Sequence, residues 1–438
     1  MTEKANSREL ALDVLLEILE KGRMSHVILN QALSKYQYLE KQDRAFITRL
    51  VEGTLSYVIQ LDWVLDSFSS VKTKKMKPVI RTLLRMSAYQ LLYMDRVPDS
   101  AVCNEAVKLA KKRGFQTLSG FVNGVLRAVA REKDSLSFPD SEIRYAIPGW
   151  MLNMWDREYG SETAEQIAAS FLVPRPMSVR MNKSLASEEK ILESLRSQKI
   201  EVRRSPLMPE VLELSGFDYP EQVEAFRKGL LMVQDASSAL VGLISGSKEG
   251  DFVLDLCSAP GGKALHAADR GAFVEARDLT ERKTELVEEN IRRCGFSNIR
   301  TRVWDARIFD PSMEEKADVV LADLPCSGLG IIGKKPDIRL RLKEAELSGL
   351  AALQREILLE ACRYVKPGGT LIYSTCTINR GENEENADWA CGNLPLRPKK
   401  LSPLVPEILK EDCKGNCLQL LPGIHPCDGF FLSAFIKT

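Results

Sequence analysis

At 438 residues, with 44% apolar and 28% charged side chains, the chain has the makeup of a globular protein with room for two or three separate cores. No run of eighteen apolar residues occurs, which argues against a helical membrane span. The opening Met1-Thr-Glu-Lys-Ala-Asn-Ser-Arg-Glu9 lacks the apolar stretch of a signal peptide, so a cytoplasmic protein is expected. The net charge of +1 hides an asymmetry, because residues 1–135 carry 22 basic and 15 acidic side chains. That surplus suits a polyanionic partner or a solvated helical surface. The ten cysteines are scattered and read as core or reactive thiols, not as a disulfide framework.

Residues 6 to about 131 show helical spacing throughout, as in Leu10–Leu19 and Ile80–Leu92. Gly22, Gly53 and Gly114 read as loop or helix-end residues, and Pro78 and Pro98 as breaks. An all-α bundle over 1–135 is expected. Residues 139–170 look helical, with Trp150 and Trp155 on an apolar face. Residues 175–230 mix short strands with a helix near 186–197, so 139–230 reads as linker helices and a small α+β subdomain. From Gly250 onward strands alternate with helices, the pattern of a parallel sheet with crossovers. Strands are placed at 252–256, 273–277, 299–303, 318–322 and 370–374. A closing antiparallel pair is placed near Cys417 and Phe430.

Asp255-Leu-Cys257-Ser258-Ala259-Pro260-Gly261-Gly262-Lys263 joins the first of these strands to a helix. Its glycines let the backbone approach a ligand, and the following helix presents free N–H groups. Asp278 closes the second strand, where an acid commonly holds ribose hydroxyls. Asp305 follows the third and is placed to accept from an exocyclic adenine amine. The turn after the first strand carries neither Gly-x-Gly-x-x-Gly nor Gly-Lys-Ser/Thr, which disfavours a dinucleotide or a triphosphate there. S-adenosylmethionine, an adenosine with an amino-acid tail, suits the set. Taken singly, either aspartate would pass for a helix N-cap.

Two further runs carry cysteines at strand ends, Asp323-Leu-Pro-Cys326-Ser-Gly328 and Tyr373-Ser-Thr-Cys376. The carboxyl edge of a doubly wound sheet is where such folds bind ligands. A thiol beside a methyl donor suits methylation of a pyrimidine carbon. Carbon 5 of cytosine becomes nucleophilic only after a thiolate adds at carbon 6. Asp323 is the natural acid for N3, provided its site keeps it protonated. With only His26, His266 and His425 present, none in these motifs, a histidine base is not expected. The loop 328–337, with Lys334 and Lys335, suits a phosphate clamp or a plain surface loop.

These motifs together resemble the RNA cytosine-5 methyltransferases, and Gly229-Leu-Leu-Met-Val-Gln-Asp-Ala-Ser-Ser238 is similar to the segment preceding their cofactor loop. The front end resembles the RNA-binding NusB fold through Pro98–Val107 and Phe121–Leu126. The combination resembles the RsmB (Sun, Fmu) group, which modifies a cytosine of small-subunit ribosomal RNA. The resemblance implies an α/β Rossmann-like methyltransferase domain over 231–438 that uses S-adenosylmethionine. Cys376 would be the attacking thiol and Cys326 an aid to product release. Cofactor contacts would come from Cys257 to Lys263 and from Asp278, Asp305 and Asp323. The implied partner is ribosomal RNA, with a monomeric protein and no obligate protein partner. Thr280 departs from the pattern, standing where a second acid after Asp278 is expected. Cys413, Cys417, Cys427 and His425 lack a paired Cys-x-x-Cys, so no metal site is expected. Transfer RNA as substrate, or an inactive RNA-binding assembly or antitermination factor, are the rival readings.

Overall fold

The structure, a computed structural model, describes residues 6–36, 38–217 and 219–438. The chain forms two compact units, one of residues 1–173 with 332–342, the other of 174–331 with 343–438. No described helix is long and apolar enough to cross a membrane.

The first unit is all-helical. Its main helices span Ser7–Leu19, Ser25–Lys35, Lys41–Ser56, Val58–Phe68, Pro78–Tyr93, Asp99–Lys112 and Ser119–Glu132, followed by three shorter ones ending at Ser170. Apolar stripes such as Leu12, Leu15, Leu50, Leu83 and Val122 meet in one core and are fully buried. Pro78 opens its helix, a position where the missing N–H costs nothing. Gly53 departs from the sequence reading. It lies inside the helix Lys41–Ser56, where an added Cβ would sit 1.9 Å from Tyr89 Cζ, so close packing against Tyr89 explains it.

The segment 332–342, which follows the Cys326 loop, is built into this helical unit. Asp337 accepts a hydrogen bond from the Ser25 hydroxyl, and Arg339 Nη1 donates to Ser56 O at 2.7 Å and Ala146 O at 3.2 Å. Both residues are buried, so the Asp337 end of the expected phosphate-clamp loop is anchored, while Lys334 within it is exposed.

The second unit holds two sheets. Strands β1 (Met177–Met181), β2 (Glu201–Arg204), β3 (Val211–Ser215) and β4 (Leu231–Val233) form an antiparallel sheet in the order β2-β3-β1-β4, with helix Glu188–Ser197 against it. The larger sheet contains β5 (Phe252–Asp255), β6 (Phe273–Asp278), β7 (Ile299–Val303), β8 (Ala317–Asp323), β9 (Val365–Thr375), β10 (Leu396–Pro398), β11 (Cys413–Lys414), β12 (Cys417–Leu420) and β13 (Phe430–Lys437). Its order is β11-β12-β13-β9-β8-β5-β6-β7, with β10 beside β13. Pairs from β9 to β7 are parallel, and β13 adds antiparallel to β9. Buried on both faces, β8 and β9 read as the near-continuous apolar runs expected of central strands. The arrangement is the multidomain one expected, a helical bundle, a small α+β part and a Rossmann-like α/β part.

Candidate active site

The register of β8 against β9 sets the site. Asp323 lies opposite Ser374, and Leu324 N–H donates to Ser374 O at 3.0 Å. Cys326 lies three residues past its register partner and Cys376 two past its own, so the loops leaving both strands meet. Their Sγ atoms are 3.4 Å apart. The hydrogen bond to Cys376, burial and the negative charge of Glu382 together hold the Cys326 thiol well above its usual value. Cys326 is therefore a protonated neighbour of Cys376 at neutral pH.

Asp323 sits between two donors, Lys263 Nζ at 2.7 Å and Ser374 Oγ at 2.8 Å. The sequence reading asked for a donor at this position, whereas here Asp323 accepts from both neighbours. Lys263, expected only as a cofactor contact, supplies the cation and also lies 5.2 Å from the Phe430 ring centroid. The acid whose proton is held most strongly by burial is Asp255, at the end of β5. Its side chain is fully buried and neither oxygen meets hydrogen-bond geometry. Burial and the nearby Asp323 push it up to about 7.

That shift has a consequence for stability. The folded state holds a proton on Asp255 that an unfolded carboxylate, with a value near 4, has already lost, so stability declines as pH rises from about 4 to about 7. Asp255→Asn, which carries no charge in either state, is expected to gain on the wild type across that window. The gain between pH 5 and pH 8 is roughly 2–3 kcal/mol, at ~1.4 kcal/mol per pH unit. Denaturant unfolding at the two pH values checks it, and an equal difference at both would remove Asp255 as the buried acid.

The loop after β5 is pinned at the same edge. Ser258 N–H donates to Arg277 O at 2.8 Å, Ala259 N–H to Asp278 Oδ2 at 2.9 Å, and Gly261 N–H to Ser258 O at 2.6 Å. Gly261 has φ 104°, a conformation that costs glycine least, and it caps the helix Gly262–Asp269. Asp278 Oδ1 also accepts from Leu279 N–H and from Lys283 Nζ at 2.9 Å. Burial pushes the Cys257 thiol up, which makes it an inert wall. Asp305 chelates its own neighbour, with Arg307 Nη2 at 2.6 Å, and that bond lowers its pKa. Leu279 and Val303, at the ends of β6 and β7, are half exposed at 54% and 44%. The edge thus offers a glycine turn, helix N–H groups, acids and a pair of exposed apolar side chains. That set suits an adenosine with a charged amino-acid tail.

Sequence reasoning missed the buried polar residues behind the thiols. They include Gln354, Glu382, Asn383 and Asn386, all at 0% exposure. The only signal was a cluster of acids and amides, Asn379-Arg-Gly-Glu-Asn-Glu-Glu-Asn386, which by composition reads as a solvated loop.

Three family models match in succession. NusB family covers 5–131, a ferredoxin-like domain of RsmF/B-like methyltransferases covers 147–224, and 16S rRNA methyltransferase RsmB/F covers 243–436. A protein described as a probable ribosomal RNA small subunit methyltransferase B, from Bacillus subtilis (strain 168), is 35% identical over 99% of this chain and 99% of its own. The chain belongs to the RsmB methyltransferase family. Among solved structures, that of PH0851 matches with TM-score 0.83 and 26% identity over 100% of both chains. NSun6 from Pyrococcus horikoshii, solved with SFG, matches in fold with TM-score 0.58 and 22% identity, over 67% of this chain and 99% of its own. Members of the RsmB family use S-adenosylmethionine, in keeping with the ligand edge described above.

Proposed function

We propose that the protein methylates carbon 5 of a cytosine in small-subunit ribosomal RNA, with Cys376 as the covalent nucleophile. The observation that carries this reading is the 3.4 Å approach of the two thiols beside the Asp323–Lys263 pair. Bound S-adenosylmethionine would supply an electrophilic methyl group, held by the turn Cys257–Lys263 with Asp278 at the ribose and Asp305 towards the adenine. The Cys376 thiolate adds to carbon 6, and carbon 5 then takes the methyl group as its bond to the donor sulfur breaks, the electron pair staying on that sulfur. The carbon 5 proton then leaves to a base, and Cys376 departs as a thiolate with the carbon–sulfur electron pair. The Cys326 S–H lies where it donates to that departing sulfur. Asp323 and Lys263 match the pairing edge of cytosine, the carboxylate accepting from the exocyclic amine and the ammonium donating towards N3. The donor role once expected of a protonated Asp323 thus passes to Lys263.

The reading is tested by methyl transfer from labelled S-adenosylmethionine to protein-free small-subunit ribosomal RNA, with transfer RNA alongside. Label recovered as 5-methylcytosine at one ribosomal position is the expected result. Label in transfer RNA alone would overturn the substrate and keep the chemistry.

The helical unit offers a place for the RNA backbone. Lys72, Lys74, Lys75 and Lys77 are exposed at the start of helix Pro78–Tyr93, and no acid lies between residues 67 and 94. Among the described residues none of the four is ion-paired, whereas Arg81 pairs with Glu20 and Arg85 with Asp62. Changing all four to Gln is expected to weaken RNA binding and to reduce the salt dependence of log K by up to about 3, at ~0.7 per phosphate contact on single strands. An unchanged salt slope would place the RNA elsewhere.

A further inference from the structure

Glu382 lies just before the helix Glu384–Asn393 and is fully buried. Its Oε2 accepts from Ser327 N–H at 2.9 Å and from Gln354 Nε2 at 3.0 Å, while Oε1 accepts from the Ser327 hydroxyl. Ser327 directly follows Cys326. Its oxygen also lies 2.7 Å from the hydroxyl of Thr377, which directly follows Cys376. Gln354 Nε2 donates in addition to Pro325 O at 2.9 Å, so both neighbours of Cys326 are tied to one cluster. Tyr373 OH and Asn386 Nδ2 donate to Gln354 Oε1, at 3.0 and 2.9 Å, and fix its amide the right way round.

A buried carboxylate is costly unless fully bonded, and a neutral amide or an apolar side chain would close an ordinary turn at less expense. Burial raises the Glu382 pKa, and Glu382 in turn adds to the groups that keep Cys326 protonated. An acid kept in such a place, bonded to the residue beside one thiol and one hydroxyl away from the other, is arranged for function.

We propose that Glu382 is a positioning residue for the thiol pair, acting through Ser327 to hold Cys326 Sγ against Cys376 Sγ. The proposal rests on the thiol roles given under the proposed function. The effect of Glu382 is assigned to the loop that carries Cys326, through Ser327, and it therefore falls on turnover and not on binding.

Glu382→Gln keeps the shape but replaces one of the two acceptor oxygens with an NH2 group, reverses or breaks the bond from the Ser327 hydroxyl, and is expected to lower kcat at least tenfold with KM for RNA and S-adenosylmethionine within twofold. Ser327→Ala should lower kcat comparably, and the double variant should fall no further than the worse single one. In a Cys326→Ala background, adding Glu382→Gln should leave the rate of covalent adduct formation by Cys376 within twofold, because the thiol it positions is gone. A purely structural role would depress adduct formation there as well, and that outcome overturns the proposal. So would additive losses in kcat, or a raised KM at unchanged kcat. Should Glu382→Gln not fold, Ser327→Ala in the Cys326→Ala background makes the same comparison with the same overturning result. Absence of any adduct from Cys326→Ala alone would count against the thiol roles themselves, and the Glu382–Ser327 coupling in kcat would still decide the proposal.

Discussion

Cys326→Ala protein, incubated with ribosomal RNA and S-adenosylmethionine, is expected to accumulate an RNA–protein adduct that survives denaturing electrophoresis. Cys376→Ala is expected to form none and to lose at least about 1000-fold in turnover, on the scale of nucleophile deletions. The asymmetry follows from the proposed roles, in which Cys376 closes the bond to carbon 6 while Cys326, 3.4 Å away with its thiol held well above its usual value, donates to the sulfur as it leaves. Without that donor the thiolate is a poorer leaving group, so elimination slows more than addition does. Adduct formed by the Cys376→Ala protein would reverse the two roles.

Gly330→Ala is expected to be among the most damaging single-methyl changes in the second unit. Gly330 N–H donates to Cys376 O at 3.0 Å, and its own carbonyl accepts from Gly429 N–H at 2.9 Å. A Cβ on Gly330 would lie 2.1 Å from Gly429 O and 2.5 Å from Gly429 C, and backbone has no rotamer with which to yield. The strain must move either the β13 end or the Cys376 loop. Overpacking of this kind costs ~1–3 kcal/mol, or roughly 2–12 °C in Tm for a unit of this size. A displacement of about 1 Å at the thiols is enough for a ~100-fold loss in kcat. Gly124→Ala makes the control. It lies in helix Ser119–Glu132 with open space around it, and is expected to stabilise slightly, by ~0.5–1 kcal/mol. Thermal unfolding and initial rates on the two variants check both. A fully active Gly330→Ala protein would show that the Gly330–Gly429 contact does not set the thiol geometry.

Much of this protein was legible one residue at a time. Helical spacing in Leu10–Leu19 and Ile80–Leu92, and the alternation of apolar strands with helices after Gly250, carry fold class, because periodicity is a local property. The glycine turn and the two cysteine runs were legible for a related reason, since each puts unusual residues at a strand end where the fold binds ligands. What the sequence could not decide are the pairings between distant segments. Nothing local says that Lys263 meets Asp323, that the acid raised by burial is Asp255, or that Gly330 lies backbone to backbone on Gly429. The β8–β9 register brings the thiols together, and burial raises Asp255. Glu382 is the clearest case. Charged residues in a sequence read as solvated, and only the tertiary fold, by closing Ser327 and Gln354 over that carboxylate, makes a buried anchor of it.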